Sequence, residues 1–119
     1  MDEGTTPTFG LTLRDLRRRA GLSQRELAER TGLDFSYISK VENGRLPPPA
    51  ADTVVSICRV LEVPIEDLLA LTGKIPSEVQ QTLSTNKGAQ RFMREAHHLG
   101  LTEEEWGRMS ETLRRLRSE

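Results

Sequence analysis

The chain has 119 residues, of which 35% are hydrophobic and 4% aromatic, with a formal net charge of −1. That length holds one domain, or one small domain with an appendage, and a core drawn mainly from Leu, Ile, Val and Ala suits packed helices better than a sheet sandwich. No apolar run approaches the roughly 18–20 residues that cross a bilayer.

The first ten residues lack a basic stretch followed by an apolar one, so no secretory signal is expected. The single cysteine, Cys58, cannot close an internal disulfide, which agrees with a reducing, cytoplasmic setting. Charge is unevenly spread. Between residues 14 and 48 eight cations stand against five acids, a local basic excess able to hold phosphates inside a slightly acidic chain.

Residues 1–8 carry Gly4, Thr5, Thr6 and Pro7 and read as a disordered arm. A first helix is expected over 9–20, with Leu13, Leu16 and Ala20 as its apolar stripe and Gly21 as its stop. Ser23 with Glu26 three residues later forms a capping box for a second helix that runs to about Thr31. Gly32 supplies the positive φ that the next turn needs.

Asp34 caps a third helix reaching about Asn43, and Gly44 ends it. After the stiff Pro47-Pro48-Pro49 connector, a fourth helix over 50–61 presents Val54, Ile57, Cys58 and Leu61 inward. A fifth is bracketed by Pro64 and Gly73, with Ile65, Leu68 and Leu69 as core candidates.

Gly73-Lys74-Ile75-Pro76 breaks the pattern and sets a boundary, with domains expected at 9–72 and 73–119. Helices are expected near 77–84, near 89–98 bearing Phe92, Met93 and Ala96, and from 103 to about 117. Thr102 and Glu105 open the last of these as a second capping box. Trp106, Met109, Leu113 and Leu116 follow on one face at heptad-like spacing. The fold class is therefore all-α.

Leu27, Leu33, Ile38 and Val41 are spaced to close two crossing helices over a small core, and Ala28 sits where those helices approach most closely. Phe35, Ser36, Ser39, Lys40 and Asn43 are left on the outer face of the third helix. Side chains of these types can hydrogen-bond base-pair edges or touch a thymine methyl in a major groove.

Leu13-Arg14-Asp15-Leu16-Arg17, Gly21-Leu22-Ser23-Gln24, Glu26-Leu27-Ala28 and Tyr37-Ile38-Ser39-Lys40-Val41-Glu42-Asn43-Gly44, with the later Leu61-Glu62-Val63, closely resemble the Xre/Cro-type, lambda-repressor-like helix-turn-helix family over about residues 9–72. The resemblance implies a five-helix DNA-binding domain followed by a small C-terminal helical segment. It also implies a double-stranded DNA partner and a transcriptional regulator. Phe35, Ser36 and Lys40, with Ser39 beside them, take the base-reading positions. Arg17, Gln24, Arg25, Asn43, Gly44 and Arg45 take the phosphate-binding ones. Arg17 and Glu42 match a family pair that ties the first helix to the end of the third. Phe35 departs from the polar residue often found there, which leaves a thymine-methyl contact or burial against the protein.

Elsewhere the chemistry is sparse. Cys58 lies on an apolar stripe, and His97-His98 point about 100° apart on a helix, so they share no ligand face. With no nucleophile–histidine arrangement and no phosphate-cradling glycine loop, neither an enzyme nor a cofactor or metal is expected. Trp106, Met109, Leu113 and Leu116 are dimerisation candidates. The expected protein is a homodimeric repressor on an inverted-repeat operator, with half-sites roughly 34 Å apart. The alternative is an antitoxin- or controller-type adaptor whose C-terminal helices bind a second protein.

Overall fold

Residues 8–118 are described by the structure, a computed structural model. Among them are eight α-helices and no strand: α1 (Phe9–Arg19), α2 (Gln24–Thr31), α3 (Phe35–Glu42), α4 (Ala51–Leu61), α5 (Glu66–Leu69), α6 (Ser77–Thr85), α7 (Lys87–Leu99) and α8 (Glu103–Arg115). The arm expected over 1–8 lies outside the described residues except for Thr8. That residue is part of the fold: its side chain accepts from Leu11 N at 3.2 Å and caps α1.

Contacts divide the chain into two units at Val79/Gln80, beyond the 72/73 boundary expected from the Gly73–Pro76 break. Side-chain bonds account for the difference. Lys74 Nζ donates to the carbonyls of Pro48 and Pro49 at 3.0 and 2.9 Å. Asp52, in the first turn of α4, accepts from Ser77 N at 3.0 Å and from Ser77 Oγ at 2.6 Å. Residues 74–77 are thereby bound to the first unit.

In the first unit α2 packs on α3 and α4, α1 on α3 and α5, and α4 on α5. Leu13, Leu27, Ile38, Val54, Ile57, Cys58 and Leu68 are wholly buried where these helices meet. Ala28 is buried at the α2 crossing, and Leu33, Ile65 and Leu69 pack half-buried against the core. One expectation for α1 fails: Ala20 is exposed. Phe9 and Arg17, outside the expected stripe, are buried with Leu13. The fifth helix is a single turn that begins at Glu66, two residues after Pro64.

The second unit contains α7 and α8, joined through Gly100 and Thr102. Asn86 caps α7, with Oδ1 accepting from Ala89 N at 3.0 Å, so the helix starts earlier than expected. The Thr102–Glu105 capping box is present on α8. Ala96 alone is buried among the described residues of α7 and α8. Phe92, Met93, Met109, Leu113 and Leu116 are exposed, and Trp106 is half-buried.

Candidate nucleic-acid interface

Local rules place α3. Ser23 Oγ accepts from Glu26 N at 3.0 Å while the Glu26 carboxylate accepts from Ser23 N at 2.8 Å, so α2 begins at a fixed residue. Those bonds hold the Glu26 carboxyl below its ordinary range. Gly32 takes φ +73° at the end of α2, and Asp34 Oδ2 then accepts from Tyr37 N at 3.3 Å. At the far end Gly44 N donates to Val41 O at 3.1 Å and Arg45 N to Lys40 O at 2.8 Å. This is the paired closure of a Schellman motif.

A buried carboxylate ties this helix to its neighbours. Glu42 accepts from Arg17 Nε at 2.6 Å and from Arg17 Nη2 at 2.9 Å. Gln24 Nε2 also donates to Glu42 Oε1 at 2.9 Å, and Arg14 Nε lies 3.7 Å from the same oxygen. Burial pushes the Glu42 carboxyl up, yet the bonds from Arg17 and Gln24 and the charges of Arg17 and Arg14 outweigh it, leaving a net fall below the usual value. The bond to Glu42 correspondingly raises Arg17.

Arg17 is only 7% exposed and spends its other terminal nitrogen on Leu22 O at 2.9 Å. Nearly sealed from solvent and held by these bonds, it does not stand at the surface with the other expected phosphate contacts; it ties α1 to the end of α3 from beneath. Gly44 is corrected as well. It has no side chain, and its N–H is used by Val41 O, so it shapes the turn instead of donating to a ligand.

The remaining candidates lie in three groups. Phe35, Ser36 and Lys40 are exposed along one side of α3, and Ser39 is half-buried at its edge. Asn43 and Arg45 are exposed at the helix end, where Asn43 Oδ1 accepts from Arg14 Nη2 at 2.7 Å and its amide nitrogen remains a donor. On α2, Gln24 is half-buried and Arg25 exposed. Phe35 is 37% exposed, and the Arg25 guanidinium carbon sits 4.4 Å from its ring centroid.

Two contributors carry no assignment from the sequence. Arg14 is visible only as one cation three residues before Arg17 on the same helix face. Gly10 is the second: a Cβ there would lie 2.5 Å from Val41 O and 2.6 Å from Glu42 O. Only a residue without a side chain lets α1 settle on the last turn of α3.

In the second unit, Phe92, Trp106, Met109, Leu113 and Leu116 line an open, largely apolar groove of about 380 Å³. His97 and His98 stand in the last turn of α7. Among the described residues no group of three or more His, Cys, Asp or Glu could hold a metal ion. No helix among them is long and apolar enough to cross a membrane.

A profile for the helix-turn-helix domain matches residues 8–71. The chain is 37% identical over 82 residues to the uncharacterized HTH-type transcriptional regulator RghRB of Bacillus subtilis strain 168, covering 69% of this chain and 59% of that one. It is 34% identical over 68 residues to the HTH-type transcriptional repressor RghR of the same organism, covering 57% and 50%. The chain thus spans between half and three fifths of the length of these curated relatives. Among solved structures, SinR, the master regulator for biofilm formation, in complex with DNA, superposes with a TM-score of 0.50 and 31% identity, over 52% of this chain and 98% of that one. With the profile match covering more than half of its residues, the chain belongs to the helix-turn-helix domain family, as its Xre/Cro-type motifs imply.

Proposed function

We propose that this protein is a sequence-specific double-stranded-DNA-binding transcriptional regulator, a homodimeric repressor that inserts α3 into successive major grooves of an inverted-repeat operator. The observation that carries the reading is the division of α3 into two sides. Its inner side is fixed by Ile38, Val41 and the buried Glu42, while Phe35, Ser36 and Lys40 stand outward. Lys40, Ser36 and Ser39 meet base edges, and Phe35 meets the groove at the start of the helix. Gln24, Asn43 and Arg45 hold phosphates through side-chain donors. Repression follows the name of the relative RghR, DNA binding that of the DNA-bound SinR. Such a protein works in the cytoplasm on the nucleoid.

Two-fold symmetry would come from the second unit, whose apolar groove on α7 and α8 would be covered by a second copy. An adaptor role, with another polypeptide on the same helices, is the second reading, and it rests on the same uncovered face.

Selection of bound duplexes from a random DNA pool tests the proposal. The expected product is an inverted repeat with half-sites about one turn, roughly 34 Å, apart. Lys40→Ala should relax preference within each half-site and weaken binding by roughly 1–3 kcal/mol, whereas Gln24→Ala should weaken all sequences alike. Absence of any duplex preference over scrambled competitor at moderate ionic strength would overturn the reading.

A further inference from the structure

On the basis of the proposed DNA-binding role, we infer that Arg25 is a base-reading residue, held by Phe35 so that it selects a guanine in each half-site. The family resemblance implies a phosphate contact for Arg25, but its surroundings favour a different job. Its guanidinium carbon lies 4.4 Å from the Phe35 ring centroid, well inside the roughly 6 Å range of cation–π attraction. Among the described residues no carboxylate pairs with it, in contrast to Arg14, Arg17 and Arg19. The aromatic ring is therefore its partner.

Phe35 is the first residue of α3, at the end of a recognition helix whose side chains reach base edges. A phenyl ring has no donor or acceptor with which to tell bases apart. What it can do is cover one face of a flat cation and limit that cation's rotamers, leaving the N–H edge free. That edge matches the O6 and N7 acceptors of guanine in the major groove. A guanidinium grips a phosphate through the same planar fork, so the guanine assignment rests on the place of the Arg25–Phe35 pair at the first residue of α3. Phe35 and Arg25 together thus replace the single polar residue often found at the start of such a helix, with the ring placing the plane and the guanidinium reading the base.

The test uses the full chain and the duplex selected from the random pool. Each half-site guanine is exchanged in turn for 7-deazaguanine, which lacks the N7 acceptor. Unaltered protein should lose about tenfold in affinity at one symmetry-related guanine. Arg25→Ala should bind the two duplexes equally, and Phe35→Leu, which keeps apolar bulk without a π face, should lose severalfold in discrimination with its salt dependence unchanged.

If Arg25→Ala keeps full discrimination at every guanine, weakens all duplexes alike and reduces the salt slope by about one, Arg25 is a phosphate clamp and the inference falls. Unchanged discrimination in Phe35→Leu would overturn the role of the ring. Failure of the DNA-binding reading itself is distinguishable, because unaltered protein would then prefer no duplex at all.

Discussion

Arg17 and Glu42, twenty-five positions apart, meet through two hydrogen bonds of 2.6 and 2.9 Å, with both side chains nearly sealed from solvent. Removing one partner leaves the other charged and buried, which costs about 3–5 kcal/mol. Arg17→Met should therefore destabilise by that order in urea unfolding at pH 7. Replacing the pair together, Arg17→Met with Glu42→Leu, should recover part of the loss. A double variant no more stable than the single one would show that the Gln24 bond and the nearby Arg14 charge on the carboxylate matter more.

The same carboxylate makes stability fall in acid. Glu42 lies below its ordinary value of 4.5 in the folded protein. Its contribution is complete above the unfolded-state pKa of about 4.3 and is lost as pH falls through the lower folded value. Urea unfolding between pH 6 and pH 3 should show a drop that is shallower in Glu42→Gln. An equal drop in both proteins would assign acid sensitivity to the carboxylates of Glu26, Asp52 and Glu105, which hydrogen bonds also lower.

Gly10→Ala sets two effects against each other. At this second residue of α1 alanine gains at most about 1 kcal/mol in helix propensity, yet its Cβ would fall 2.5 Å from a backbone carbonyl. Overpacking of this kind costs typically about 1–3 kcal/mol, so the expected result is a net loss of thermal stability. A neutral or stabilised variant would mean that α1 stands further from α3.

Leu113 and Leu116 are 67% and 71% exposed, and a second copy is the proposed cover. Leu113→Glu with Leu116→Glu should lower the sedimenting mass to that of one chain and weaken operator binding. Unchanged mass would move the dimer contact elsewhere.

Burial, with Asp67 and Glu66 nearby, pushes the Cys58 thiol up to about 11. Only about one molecule in a thousand would be thiolate at pH 8 from a gap of three pH units, and thiolate is the reacting form. Iodoacetamide should leave the native protein unmodified for hours and label it promptly in urea. Prompt labelling without denaturant would contradict the packing at α4.

The elements around α3 were legible because their signals are local. A capping box at Ser23 and Glu26, a glycine at 32 and apolar residues at helical spacing each act within a few residues. Arg17 was readable as part of a pair only through family resemblance. Periodicity alone places a cation outside, since its partner on another helix is invisible to a short window. Asn86 carries no capping assignment from the sequence; the cap rests on a side chain that accepts from Ala89 N. Gly10 and the Arg25–Phe35 stack depend on how close separate helices come, which no spacing rule reports.

Eight residues make up α3, fewer than the dozen or so that a free peptide needs to stay helical in water. A synthetic copy of that segment would be a coil, so the outward row from Phe35 to Lys40 exists only while the interior beneath it holds. Any ligand gripping that row would in turn raise the melting temperature, by mass action on the native state. Grip and melting thus form one equilibrium, and a substitution deep inside at Leu27 or Ile57 would alter occupancy of the outer row without touching it.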